Sequence, residues 1–186
     1  MMRKYFLQKS VLVFITLSLV VSLCNARDLS RIETVISQPQ SQGVARLNFW
    51  GFHIYDVTLY RASNLSSSDF ALDIKYQKSF SGSAIANRTV DEMKKIGVPD
   101  SQAAIWGKEL AEVLPNVEPG QTLTGFYSPK IGTTLFYEGK KITQIPGAEF
   151  SKAFFGIWLD PKTSAPKLRA ELLGNGCPPP LFSGAC

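Results

Sequence analysis

From Ala45 to Tyr60 apolar and polar residues alternate nearly one for one, the period of a strand with a wet side and a dry side. In "ARLNF", Leu47 and Phe49 share one side, and Arg46 and Asn48 the other. In "FHIYDVTLY", Tyr55, Val57 and Leu59 share a side, and Asp56 and Thr58 point away. Trp50-Gly51 separates the two runs, with glycine supplying the freedom of a tight reversal, so the stretch predicts a β-hairpin. After a serine-rich loop at 66–68, "FALDIKY" alternates again, with Phe70, Leu72, Ile74 and Tyr76 together.

The period then lengthens to that of a helix. In "TVDEMKKIG", Thr89 and Glu92 have capping-box spacing, Met93 and Ile96 form the apolar pair, and Gly97 is the stop. "DSQAAIWGKELAEVL" opens on Asp100 as N-cap and carries a stripe of Ala103, Trp106, Leu110 and Val113 up to Pro115. Strands return in "GQTLTGFYSPKIGTTLFYEGKKITQI", which turn chemistry at Ser128-Pro129 and Glu138-Gly139 cuts into a three-strand meander. Phe150, Phe154 and Ile157 recur at helical spacing in "GAEFSKAFFGIWL", which Pro161 ends. Ser164 or Ala165 with Pro166 starts a last helix, in which Leu168 and Leu172 face inward and Gly174 is the stop. Strand-rich and helix-rich runs are segregated, which predicts an α+β fold: a large antiparallel sheet with helices packed on one face. The 186 residues suit one such domain.

The first 26 residues stand apart from this pattern. Arg3, Lys4 and Lys9 precede an apolar run from Val11 to Cys24, and "CNA" offers small residues for cleavage after Ala26. This predicts a signal peptide at 1–26, a domain at 27–176 and a Pro-rich tail at 177–186, in a periplasmic or secreted protein that meets a membrane only during export. Acylation of Cys24 is the rival reading, with Leu23 standing where a small residue is wanted. Export alters the charge balance, because the leader holds three of the 20 basic residues and leaves 17 against 15 acids. That remainder leaves no electrostatic footprint for nucleic acid. It also leaves Cys177 and Cys186 as a pair bracketing "CPPPLFSGAC", a candidate disulfide in an oxidising compartment.

Chemistry is bounded mainly by exclusion. His53 is the sole histidine, mid-strand and without a nucleophile elbow, so neither a multi-histidine metal site nor a Ser-His-Asp triad is expected. No glycine-rich phosphate loop follows a strand, and no cofactor is expected. Asp91 and Glu92 read as helix-start residues rather than paired acid catalysts. Asn64-Leu65-Ser66 and Asn87-Arg88-Thr89 match the short glycosylation pattern. Arg46 is the residue left over. A guanidinium among aromatic strands either reaches water or a carboxylate such as Asp56, or meets an anionic guest. In the second case Tyr55 on the partner strand would add a phenol, and an apolar layer would take the tail of a carboxylate-headed amphipath.

The ordered segments "GVAR…IYDVTLY", "FALDIKY", "ANRTVDEMKKIG", "LTGFYSPKIGTTLFYEGK" and "FSKAFFGIWLDPKTSAPKLRAELLG" together resemble the chalcone isomerase-like family, in its secreted bacterial branch. The likeness runs from about Gly43 to Gly174. It implies an open-faced sandwich. It also implies one of two roles, chalcone ring closure or the binding of a fatty acid by an Arg and a Tyr. Arg46 falls at the family's Arg position, through a shorter hairpin, and Tyr55 matches the Tyr of the binders. Ser81 and Arg88 stand roughly where the enzyme has Tyr and Asn, a departure that removes oxyanion donors and favours binding without catalysis. The expected ligand is a fatty acid or similar anionic, apolar-tailed molecule, held by Arg46 and Tyr55 over a floor that includes Phe154 and Trp158. An isomerase acting on a chalcone-like enone is the alternative, and a structural or interaction module with a vestigial pocket the second.

Overall fold

The computed structural model describes residues 30–64 and 67–182. The predicted leader, Cys24 and Cys186 lie outside the described residues, as does part of the Asn64-Leu65-Ser66 pattern.

Six strands form one antiparallel sheet in sequence order: β1 (Pro39–Phe49), β2 (Phe52–Ala62), β3 (Phe70–Tyr76), β4 (Thr122–Ser128), β5 (Gly132–Tyr137) and β6 (Lys140–Ile145). The predicted hairpin turns at Trp50 and Gly51, both left-handed with φ of 51° and 80°. Such a pair matches the right-handed twist of the strands it joins. β1 starts at Pro39, well before "ARLNF", and bulges between Ser41 and Gly43.

Four helices cover one face: α2 (Gly82–Lys95), α3 (Asp100–Val113), α4 (Ala148–Leu159) and α5 (Pro166–Leu173). A single-turn helix, α1 (Ser30–Glu33), precedes the sheet. Two predicted caps are corrected. The N-cap of α2 is Ser81, whose hydroxyl accepts from Ala84 N at 3.1 Å. Thr89 is therefore mid-helix, with its hydroxyl donating to Ile85 O at 2.9 Å, and no capping box forms with Glu92. The stretch Gly82–Arg88 is rich in small and polar residues, so its helical turns carried little apolar period. Asp100 is the first residue of α3 rather than its cap, which is Pro99.

The core lies between sheet and helices. Val57, Leu59, Phe70 and Leu72 meet Met93, Leu110, Phe150, Phe155, Leu159 and Leu172, every one essentially inaccessible. All four inward residues predicted on β3 are among the buried ones. Gly43 lets α5 close on β1, since a Cβ there would stand 2.2 Å from Leu172 O. On the opposite face Ile32 and Ile36 pack against Tyr60, Ala71 and Phe126, so that side is partly strapped as well.

Candidate functional site

The sheet and its helical cover do not close on one another completely. A cavity of about 380 Å³ remains between β1–β5 and the helices α2 and α4, reaching Ser164 and Ala165 ahead of α5. Its walls are mostly apolar, and local periods explain which side chains line them. Alternation on β2 and β3 turns Tyr55 and Tyr76 inward, directly opposite each other in register, with their rings edge to face at 5.9 Å. Spacings of three and four on α2 bring Ile85, Arg88, Thr89 and Glu92 to the same side. A spacing of four on α4 does the same for Phe154 and Trp158, whose rings stand 5.6 Å apart.

The polar groups are few and concentrated. Trp158 Nε1 donates to the Tyr55 hydroxyl at 3.0 Å, and the Tyr55 O–H finds no acceptor among the described residues. Tyr76 is only 6% exposed, and its hydroxyl has no hydrogen-bond partner there either. Burial pushes the Tyr55 phenol up to about 12, against the opposing effects of the Trp158 bond and the Arg88 charge. Burial, reinforced by Tyr55, pushes Tyr76 up as well. Both therefore remain hydrogen-bond donors at any physiological pH, and neither is placed to act as a base.

At the α2 side, Glu92 is buried and gathers three partners. Arg88 Nη2 stands 2.6 Å from its Oε1, Lys95 Nζ donates to the same oxygen at 2.9 Å, and the Ser164 hydroxyl donates to Oε2. Desolvation acts to raise the Glu92 carboxyl, but the bonds from Ser164 and Lys95 and the charges of Arg88 and Lys95 outweigh it and hold the pKa below its ordinary value. Two cations around one carboxylate leave an excess positive charge, and Arg88, 59% exposed, carries it to the rim of the cavity. A group with a lowered folded pKa contributes stability above its unfolded value, and the contribution fades as pH falls through the folded value. The melting temperature of Glu92→Gln should therefore fall below that of wild type at neutral pH and converge with it as pH drops below about 4.5. A gap that persisted into strong acid would separate the effect from the charge on Glu92.

Three expected site residues, Tyr55, Phe154 and Trp158, line the cavity. The fourth does not. Arg46 is 58% exposed, and its Nε donates to Asp56 Oδ1 at 3.0 Å. The two residues are register partners on the face opposite Leu47 and Tyr55, where His53 Nε2 lies 3.0 Å from the same Asp56 oxygen. Arg46 thus takes the carboxylate-paired place that was its alternative reading, and Arg88 is the guanidinium at the cavity. Ser81 is spent on capping α2. Among the described residues no group of three His, Cys, Asp or Glu stands ready to hold a metal.

Residues 42–174 match a family described as chalcone isomerase-like. The chain belongs to that family. A chalcone isomerase-like chain of this kind has a relative in Haemophilus influenzae, an uncharacterised protein 28% identical over 130 residues. The match covers 68% of this chain and only 64% of that relative's length. Among solved structures, a fatty-acid binding protein of Arabidopsis thaliana is similar with a TM-score of 0.54. It shares 10% sequence identity over 76% of this chain and 89% of its own, a likeness of fold. The predicted α+β sandwich, an antiparallel sheet with helices on one face, is the fold found.

Proposed function

We propose that the chain is a binding protein for a fatty acid or similar carboxylate with an apolar tail, held without catalysis. One observation carries the reading: two phenol O–H donors without a protein acceptor, beside a guanidinium that is itself paired with Glu92, in a mostly apolar cavity. A guest carboxylate would accept from them, and hydrogen bonds to a charged group are worth roughly 1.5–3 kcal/mol each. A carboxylate would take bonds from Tyr55 and Tyr76 and from an outer edge of Arg88, the edge toward Glu92 being occupied. The tail would run over Ile74, Leu123, Leu135 and Phe154. At about 380 Å³ the cavity falls within the roughly 300–1,000 Å³ of small-molecule sites. The fatty-acid binding neighbour in fold is compatible with this reading.

The test is solvent extraction of the purified protein followed by mass spectrometry. The expected result is a long-chain acid recovered in near-stoichiometric amount. Recovery of none, together with a melting temperature unmoved by added long-chain acids, would sink the proposal and leave a vestigial pocket. The same three donors would also face an enolate oxygen, so ring closure of a chalcone, followed by its absorbance, belongs in the same assay. A rate equal to that of buffer removes the isomerase alternative.

The proposed site of action is periplasmic or extracellular, on the strength of the leader and the paired cysteines. The recovered chain should begin at Arg27. Cys177 and Cys186 should react with an alkylating reagent only after reduction. Immediate alkylation of both would remove the disulfide.

A further inference from the structure

The tip of the β1–β2 hairpin is the most exposed apolar feature among the described residues. Trp50 is 87% exposed, Phe52 62% and Phe49 56%, and the Phe49 and Trp50 rings stack at 5.9 Å. The packing of the core explains none of these rings. Trp50 also occupies a left-handed turn position, φ 51°, where asparagine or glycine is favoured, so a bulky side chain is kept there against the backbone's preference. Lys78 Nζ stands 5.8 Å above the Phe52 ring, while Arg46 and Lys75 lie further up the strands as ladder partners of Asp56, and the Ser79 hydroxyl donates to Glu118 beside Lys78. Phe49 lines the cavity as well, so the tip adjoins the opening.

Exposed Trp and Phe beside a lysine have the composition of an interfacial membrane anchor. A second copy of the chain suits the tip less well. Three rings offer about 450–750 Å² even if wholly buried, whereas a stable interface takes about 800 Å² from each partner.

We propose that this hairpin tip seats the protein on an anionic lipid bilayer, with Phe49, Trp50 and Phe52 among the head groups and Lys78 against the phosphates. The opening beside Phe49 then faces the lipid, and a carboxylate amphipath passes between bilayer and cavity without crossing water. That transfer role rests on the binding function proposed above; the docking itself rests on the tip alone.

The experiment compares the protein as recovered from the cell with a Trp50→Asn/Phe52→Thr double variant that keeps the same N-terminus. Asparagine suits the left-handed position and threonine the strand, so folding is preserved. Both are mixed with phosphatidylcholine vesicles, with and without phosphatidylglycerol, and sedimented. Wild type should bind the anionic vesicles at least about tenfold more tightly than the variant, both should bind less tightly in high salt, and wild type should show a blue shift of its tryptophan emission on binding. Equal sedimentation of the two, with emission unmoved, overturns the proposal. So does a wild-type dimer that the variant converts to monomer without any vesicle response. Lipid extraction of the double variant separates the two ideas. An acid retained with docking lost leaves the cavity's role intact, and docking without any acid leaves only the tip's role.

Discussion

Arg88→Ala should release a bound acid, weakening its affinity by about tenfold, the lower end for a hydrogen bond to a charged group because solvent screens the half-exposed guanidinium. Titration of the delipidated protein with a fluorescent fatty acid would measure it. The effect is expected on binding rather than on folding. The Arg88 side chain is more than half exposed, and Glu92 keeps Lys95 and Ser164 when it is gone. Tyr76→Phe, which deletes one hydroxyl and nothing else, should cost about tenfold. Arg46→Ala should leave the affinity where it was, because that guanidinium is paired with Asp56 on the outer face. The reverse pattern, with Arg46→Ala weakening the complex and Arg88→Ala silent, would move the head group out of the cavity and end the assignment.

That reversal of roles between two arginines marks how far the sequence could be read. The hairpin, the inward set of β3, the meander and the last two helices were legible because each has a clean period of two or of three to four, closed by Gly or Pro. The same alternation already separated Arg46 from Tyr55. Arg46 shares its side with Asn48, and its partner across the ladder is Asp56, one residue off the Tyr55 face. The family resemblance points Arg46 at a ligand, whereas the ladder register puts it on the outer face with Asp56, as the alternation alone implies. Arg88 had a signal of its own, a carboxylate four residues later in a helix. It is obscured because the small and polar residues of Gly82–Arg88 carry little apolar period, so the first turns of α2 leave no clear helical signal ahead of Thr89. No local pattern could have given the burial of Glu92 or its bond to Ser164, 72 residues away, which exists only once α2 and the segment before α5 are packed together.

Adjacent phenylalanines on α4 should respond in opposite ways, and this contrast tests whether the hollow is a ligand site or slack in the core. Phe155 is wholly buried, with its ring 4.7 Å from that of Phe70 and in edge contact with Tyr127. Phe155→Ala should cost about 3–5 kcal/mol, the loss of a core ring plus the void left behind. For a domain of this size that lowers Tm by roughly 10 °C or more, measurable by calorimetry. Phe154 sits one residue back on the cavity wall, touching Gly125 and Trp158. Phe154→Ala enlarges a hollow that is already present, so its stability loss should be clearly smaller. Its larger effect should fall on the guest. Each methylene admitted to the added space is worth about 0.8 kcal/mol of burial, so the extracted acids should shift toward longer or bulkier chains. If Phe154→Ala destabilises as much as Phe155→Ala and the extracted acids do not change, both rings belong to one solid core and the tail does not lie where the apolar wall suggests.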